Sequence, residues 1–231
     1  MKRFLLFLLF PFALFALYNG NPSFPMMPEI GIWIPKESPV GLKVGYEVDW
    51  SYDTNLKAVN GYNSLTQFGV VTFNILDRVE LFTDLGAFSA SWYQGDSVFY
   101  QSDTSWMWGV GGRAILAYWG DLQLSGGASY VDSSPSSVTV HSEGEKFSAH
   151  FNAWQIAGGL TYRFGWFYPY VGVDYLNMTW DAGKKKLYLQ MHDPFGIYLG
   201  LGVGLERGWN FNLEARFINE NAITFSTDIR F

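Results

Sequence analysis

Residues 221–231 read NAITFSTDIRF. Ile223, Phe225, Thr227, Ile229 and Phe231 fall on one face of an extended strand and Thr224, Ser226, Asp228 and Arg230 on the other, because strand side chains alternate with period two. Two settings satisfy an apolar face backed by a polar, charged one that closes on an aromatic residue. One is the closing strand of a β-barrel in a membrane; the other is an edge strand of a soluble sandwich. The remaining sequence has to choose between them.

The chain has 231 residues, enough for one domain. It is 19% aromatic, with 25 Gly and 10 Trp, but only 16% charged and without Cys. A soluble fold would have to bury nearly all of those rings, and no long amphipathic helical stripe offers a helical core. A barrel in lipid turns its apolar face outward and escapes that demand. Residues 1–16 (MKRFLLFLLFPFALFA) carry Lys2 and Arg3 before an apolar run and read as a secretory signal peptide cleaved after Ala16. The run is shorter than the roughly 20 apolar residues that span a bilayer as a helix. No second hydrophobic helix follows, so the expected destinations are the periplasm, the exterior, or the outer membrane as a barrel.

Loss of Lys2 and Arg3 takes the formal charge from −6 to −8, which argues against nucleic acid as a partner. Without cysteine there is neither a disulfide framework nor a thiolate metal site. Residues 17–39 hold five of the nine prolines and read as a Pro-rich periplasmic leader, either a tail or a segment docked in the barrel through Trp33.

From residue 40 the alternation is regular. Val40, Leu42, Val44, Tyr46, Val48, Trp50 and Tyr52 interleave with Gly41, Lys43, Gly45, Glu47, Asp49 and Ser51, thirteen residues where about ten tilted ones cross a bilayer. Nine further strands follow, beginning near residues 64, 79, 106, 122, 154, 169, 195, 209 and 221. Tight turns at 76–78, 119–121, 164–166 and 207–208 alternate with loops that are mostly long. These are SWYQGDSVFYQSD, the Ser/Pro-rich residues 132–146, and residues 177–194, the last containing Lys184 to Lys186 and a small hairpin through Leu187 and Leu189. Ten is an even number, as bacterial barrels require, and this alternation puts both ends of the barrel segment on the tight-turn, periplasmic side.

The charges carry the argument furthest. Lys43, Glu47, Asp49, Glu80, Asp84, Arg113, Arg163, Asp174, Glu206, Glu214, Arg216, Asp228 and Arg230 all take the parity opposite to the Leu, Val, Ile, Phe and Trp residues of their strands. At a lipid-facing midplane position an Arg or Lys costs about 2–4 kcal/mol, so these residues are assigned to the lumen. The expected fold is an all-β, single-chain antiparallel transmembrane barrel over residues 40–231. Aromatics near strand ends, Trp50, Trp106, Trp119, Trp166 and Trp209 among them, suit interfacial girdles in contact with outer-membrane lipid.

Four segments, LYNGNPSFP, LKVGYEVDWSYD, FNILDRVELFTDLGA and NLEARFINENAITFSTDIRF, resemble the major outer membrane protein porins of chlamydiae and their environmental relatives. The resemblance implies an outer-membrane barrel that passes small hydrophilic solutes, assembles as a homotrimer, exposes antigenic loops, and is recognised through its last strand by the assembly machinery. The best-known members are longer and cysteine-rich, so their disulfide cross-linking does not transfer to this chain.

Strands about 4.8 Å apart, tilted about 40°, give a ten-stranded wall a radius of roughly 10 Å, between a filled and an open barrel. Gly41, Gly45, Gly86, Gly109, Gly111, Gly127, Gly196, Gly200, Gly202 and Gly204 face inward in this register and leave room. The expectation is a narrow pore lined by both signs with acids in excess, hence mildly cation-selective. The alternative is a closed lumen of paired charges, with a structural, antigenic or adhesive role for the loops. No enzyme is expected: of His141, His150 and His192 none has a Ser or Asp spacing that marks a dyad, and His150, beside a strand mouth, is the one to test. The glycines of GLGVGLERG alternate within a strand rather than open a helix, and no metal-ligand spacing occurs, so no cofactor is expected.

Overall fold

The computed structural model describes residues 40–57, 59–76, 78–94, 98–141, 144–182, 187–205 and 208–231. The signal and leader readings, Glu206, and Lys184 to Lys186 lie outside them. In chain order the strands are β1 (Val40–Thr54), β2 (Asn60–Ile75), β3 (Val79–Gln94), β4 (Val98–Ser102), β5 (Ser105–Trp119), β6 (Leu122–Ser133), β7 (Val138–Val140), β8 (Glu145–Phe147), β9 (His150–Tyr162), β10 (Phe167–Ala182), β11 (Leu187–Gln190), β12 (Phe195–Gly204), β13 (Trp209–Phe217) and β14 (Glu220–Arg230).

Ten of these close on themselves in the order β1, β2, β3, β5, β6, β9, β10, β12, β13, β14, every pairing antiparallel. The last strand pairs with the first, Lys43 opposite Arg230 and Asp49 opposite Thr224. The pair of β14 with β1 is therefore the seam of a closed barrel, and closure removes the sheet edges that an open sandwich would have to protect. Tight turns at one end use glycine where the backbone turns left-handed, at Gly120 (φ 63°) and Gly165 (φ 66°), conformations that cost a Cβ-bearing residue.

The other end is built differently from the expectation. SWYQGDSVFYQSD is not a loop: its first four residues extend β3, which pairs with β4 from Ser91 opposite Gln101 to Gln94 opposite Val98. The Ser/Pro-rich stretch contains β7 and β8, and β7 pairs with β4. β10 runs on to Ala182 and pairs with β11, the hairpin partner anticipated at Leu187 and Leu189. Each short strand continues a barrel strand beyond a brief interruption: β4 continues β5, β7 β6, β8 β9, and β11 β12. Polar loop composition hid this, because alternation over three to five residues is too short to register.

The wall is low only at β13 and β14, which join through Ile218 and Asn219. There the segment after β1 crosses over the hairpin: Leu56 bridges Met191, Asn55 donates to the Asn219 carbonyl at 3.0 Å, and Lys57 donates to the Gln190 carbonyl at 2.8 Å.

Candidate functional site: the barrel lumen

Outward residues form a belt of exposed apolar side chains, with Val173 61% and Leu81 51% exposed. Trp50, Trp106, Trp119, Trp166 and Trp209 are also exposed, near the strand ends where girdles were expected. Monomers in water do not present a continuous apolar belt of this kind. Inward residues alternate with it: along β3, Val79, Leu81, Thr83 and Leu85 are exposed while Glu80, Phe82, Asp84 and Gly86 are buried.

The sequence-assigned lumen residues face the barrel interior, all buried but the half-buried Asp228, with two exceptions. Arg163 lies one residue beyond β9, half-buried at the tight-turn rim, where its guanidinium sits 6.0 Å from the centre of the Tyr168 ring. It keeps the inward parity but leaves the ladder before it reaches the membrane interior. The other exception, Glu206, falls among the residues not described.

Six of the remaining charges gather in two clusters. Near the tight-turn end Lys43 Nζ lies 2.7 Å from Glu80 Oε1, Arg113 bonds the other oxygen of Glu80, and Asn74 donates to Glu80 at 3.2 Å. Two cations and an amide on one carboxylate offset the cost of taking its charge out of water.

The second cluster gathers on Arg216, only 1% exposed. Its Nη2 bonds Asp49, its Nε donates to Glu220 Oε1 at 2.6 Å, and its Nη1 donates to Thr224 Oγ1 at 2.6 Å and lies 3.3 Å from Glu214 Oε1. Gln155 and Asn219 donate to Asp174 Oδ2 at 3.1 and 2.8 Å. Glu220, which opens β14, and Asn219, in the β13–β14 turn, were not singled out from sequence; they lie one and two residues before the expected strand. Among the described residues eight inward carboxylates (Glu47, Asp49, Glu80, Asp84, Asp174, Glu214, Glu220, Asp228) face four inward cations (Lys43, Arg113, Arg216, Arg230).

The long-loop half of the lumen is apolar and was missed. Tyr62, Phe88, Trp92, Phe151 and Trp180 pack as one cluster with Leu56, Met178, Leu189 and Met191. Phe88 stacks on Phe151 at 4.6 Å, Trp92 and Trp180 meet at 5.0 Å, and Trp180 Nε1 donates to the Tyr62 hydroxyl at 3.1 Å. The signal was present: Phe82, Phe88 and Trp92 share the parity of the charges of β3 rather than of its lipid face.

Several inward glycines do not leave the room expected of them. A Cβ at Gly111 would overlap the Phe82 ring, one at Gly200 the Tyr170 ring, and one at either Gly159 or Gly172 the Tyr198 hydroxyl. Glycine on one strand seats an aromatic ring from a nearby strand. A cleft between the ion networks, lined by Gly45, Glu47, Thr72, Phe82, Arg113, Asn212, Ser226 and Asp228 among others, measures about 30 Å³. That is room for one or two waters.

No protein-family model matches the sequence. No characterised protein matches it by sequence either. Solved structures are similar in fold. The translocator domain of the autotransporter NalP from Neisseria meningitidis superposes with a TM-score of 0.51 at 14% identity, over 84% of this chain and 88% of that one. An outer membrane channel from Pseudomonas putida F1 gives 0.48 at 6% identity, over 92% and 100% of the two chains. The β domain of the Bordetella autotransporter BrkA gives 0.49 at 13%, over 84% and 99%. The chain is an outer-membrane β-barrel.

With that setting the long-loop end is extracellular, and β4, β7, β8 and β11 are wall extensions on the cell surface. His150 of this barrel pairs with Asp132 at 2.8 Å, and Asp132 also accepts from the Tyr130 hydroxyl at 3.0 Å. All three take the outward parity near the extracellular rim, with the Phe151 side of the strand turned inward. His192 pairs with Asp193 at 2.7 Å, and His141 bonds Gln101 at 3.1 Å.

Proposed function

We propose that this outer-membrane barrel is closed to solutes and acts at the cell surface, through the sheet that its strands extend beyond the membrane. The observation that carries the reading is the ring cluster of Tyr62, Phe88, Trp92, Phe151 and Trp180, which fills the extracellular half of the lumen with side chains under 3% exposed. Below it, ion networks and rings seated on glycines occupy the rest. The extension presents Tyr93, Phe99 and His141 in a ring contact series at 4.9 and 5.1 Å, as a surface for a partner.

Recording from the refolded chain in planar bilayers tests this. No conductance step above that of protein-free bilayers is expected, and reproducible steps would refute closure. A second reading, the narrow cation-selective pore, draws on the twofold excess of lumen carboxylates and predicts steps that reverse toward the cation potential in a salt gradient. The resemblance to chlamydial porins adds a homotrimer and recognition of β14 by the assembly machinery. Cross-linking in native membranes reads the first, and deletion of Phe231 with a count of inserted barrels reads the second.

A further inference from the structure

Two successive rows of side chains cross β1, β14 and β13 on the lumen face. Glu47 stands opposite Ser226, which stands opposite Asn212; in the next row Gly45 stands opposite Asp228, which stands opposite Asn210. Glu47 and Asn212 are 2% and 4% exposed, yet Glu47 Oε1 and both side-chain atoms of Asn212 have no hydrogen-bond partner. Asn210 donates to Asp228 Oδ1 at 2.7 Å, which leaves its own Oδ1 without a donor. Glu47, Asn212, Ser226 and Asp228 line the 30 Å³ cleft, and Gly45 keeps it open, since a Cβ there would press on Asp228 Cβ at 3.0 Å.

Buried polar atoms are almost always satisfied, and an orphaned one costs about 1–3 kcal/mol, more if charged. In the cleft lining two orphaned acceptors, Glu47 Oε1 and Asn212 Oδ1, stand beside one orphaned donor, Asn212 Nδ2, and a third acceptor, Asn210 Oδ1, is orphaned one row away, in a lumen with twice as many carboxylates as cations. A ligand that supplies positive charge to several oxygens at once fits better than a further hydrogen-bond acceptor. Arg113 at the cleft wall does not fill that role alone, because Glu80 binds it.

We infer that the cleft binds a hard cation through oxygen ligands: the Glu47 and Asp228 carboxylates, the Asn212 amide, the Ser226 hydroxyl, and one or two waters. Among the described residues no three His, Cys, Asp or Glu side chains are grouped to hold a metal. The amide, hydroxyl and water oxygens therefore complete the set, which suits the flexible oxygen coordination of calcium and the retained waters of magnesium. The site stands whether or not the lumen conducts.

The test uses the refolded mature chain in detergent, stripped with EDTA. Its melting is followed by tryptophan fluorescence and heat-modified gel mobility in calcium, magnesium or sodium chloride, each against choline chloride of equal ionic strength. At a cation concentration a hundredfold above its Kd, linkage predicts a melting rise of about 5–10 °C over choline. Glu47→Gln and Asn212→Leu, both folded by gel mobility, each remove that rise; if one fails to fold, Ser226→Ala serves. Equilibrium dialysis with radiolabelled calcium then distinguishes calcium from the other two. Equal melting in all four salts, or a rise that survives both substitutions, overturns the proposal and leaves a cleft that holds water only.

Discussion

Replacing Arg216 by methionine isolates the larger ion network. The substitution keeps a long apolar stem but removes the guanidinium bonded to Asp49, Glu214 and Glu220, and it also takes the donor from Thr224 Oγ1. Hydrogen bonds to charged groups contribute about 1.5–3 kcal/mol each. Three would suggest a larger loss than is expected, because the intact cluster already bears the cost of taking its charges out of water. Removing one partner of a buried pair exposes that cost, typically about 3–5 kcal/mol. Against a stability of roughly 5–15 kcal/mol for a folded domain, this is a large fraction. Urea unfolding in micelles, followed by tryptophan fluorescence, should show a lower midpoint at unchanged slope. Arg216→Lys keeps the charge but not the planar fork that reaches several carboxylates at once, so an intermediate loss is expected. Adding Glu220→Gln to Arg216→Met should restore part of the stability, since one uncompensated charge is gone. If Arg216→Met stays within about 1 kcal/mol of the parent, the network is not what the geometry indicates.

Trp180→Ala should cost about 3–5 kcal/mol through lost packing against Phe88, Trp92 and Phe151, while Tyr62→Phe, which removes the hydroxyl that accepts from the Trp180 indole and meets Ser64, should cost about 1 kcal/mol; the same urea titration separates them. Gly172→Ala should destabilise through overlap with Tyr198, and Tyr198→Leu should recover part of that loss in the double variant although it is damaging alone. Ile218 is exposed and holds φ 83°, a conformation that costs a β-branched residue about 1–2 kcal/mol. Ile218→Gly should therefore raise stability, and an unchanged or lower midpoint would show that the β13–β14 turn carries no strain.

Much of this barrel was legible in the chain. Period two separates the faces without any knowledge of neighbours, so Lys43, Glu47, Asp49 and Glu80 could be placed inside from their own strands. Alternating turns and loops gave ten strands, and an even antiparallel ring leaves β1 and β14 only each other. The wall extensions escaped because β4, β7, β8 and β11 have three to five residues each, embedded in polar, loop-like segments. The aromatic plug escaped for a related reason: Trp92 and Trp180 fell in segments read as loops, although Trp92 and Phe88 had the parity of the charged face.

Parity states which way a side chain points, and that is a local property of the backbone. What it meets there depends on the stagger between strands and on the barrel's curvature, which belong to the whole ring. Only the tertiary structure brought Arg216 to Asp49 across 167 residues, seated Tyr198 on Gly172, and turned an expected gap of glycines into contact surfaces. The sequence determined the inside and the outside of this barrel. Closure of the ring decided that its inside is filled, because a wall of about 10 Å radius brings rings and charges from distant strands within reach of one another.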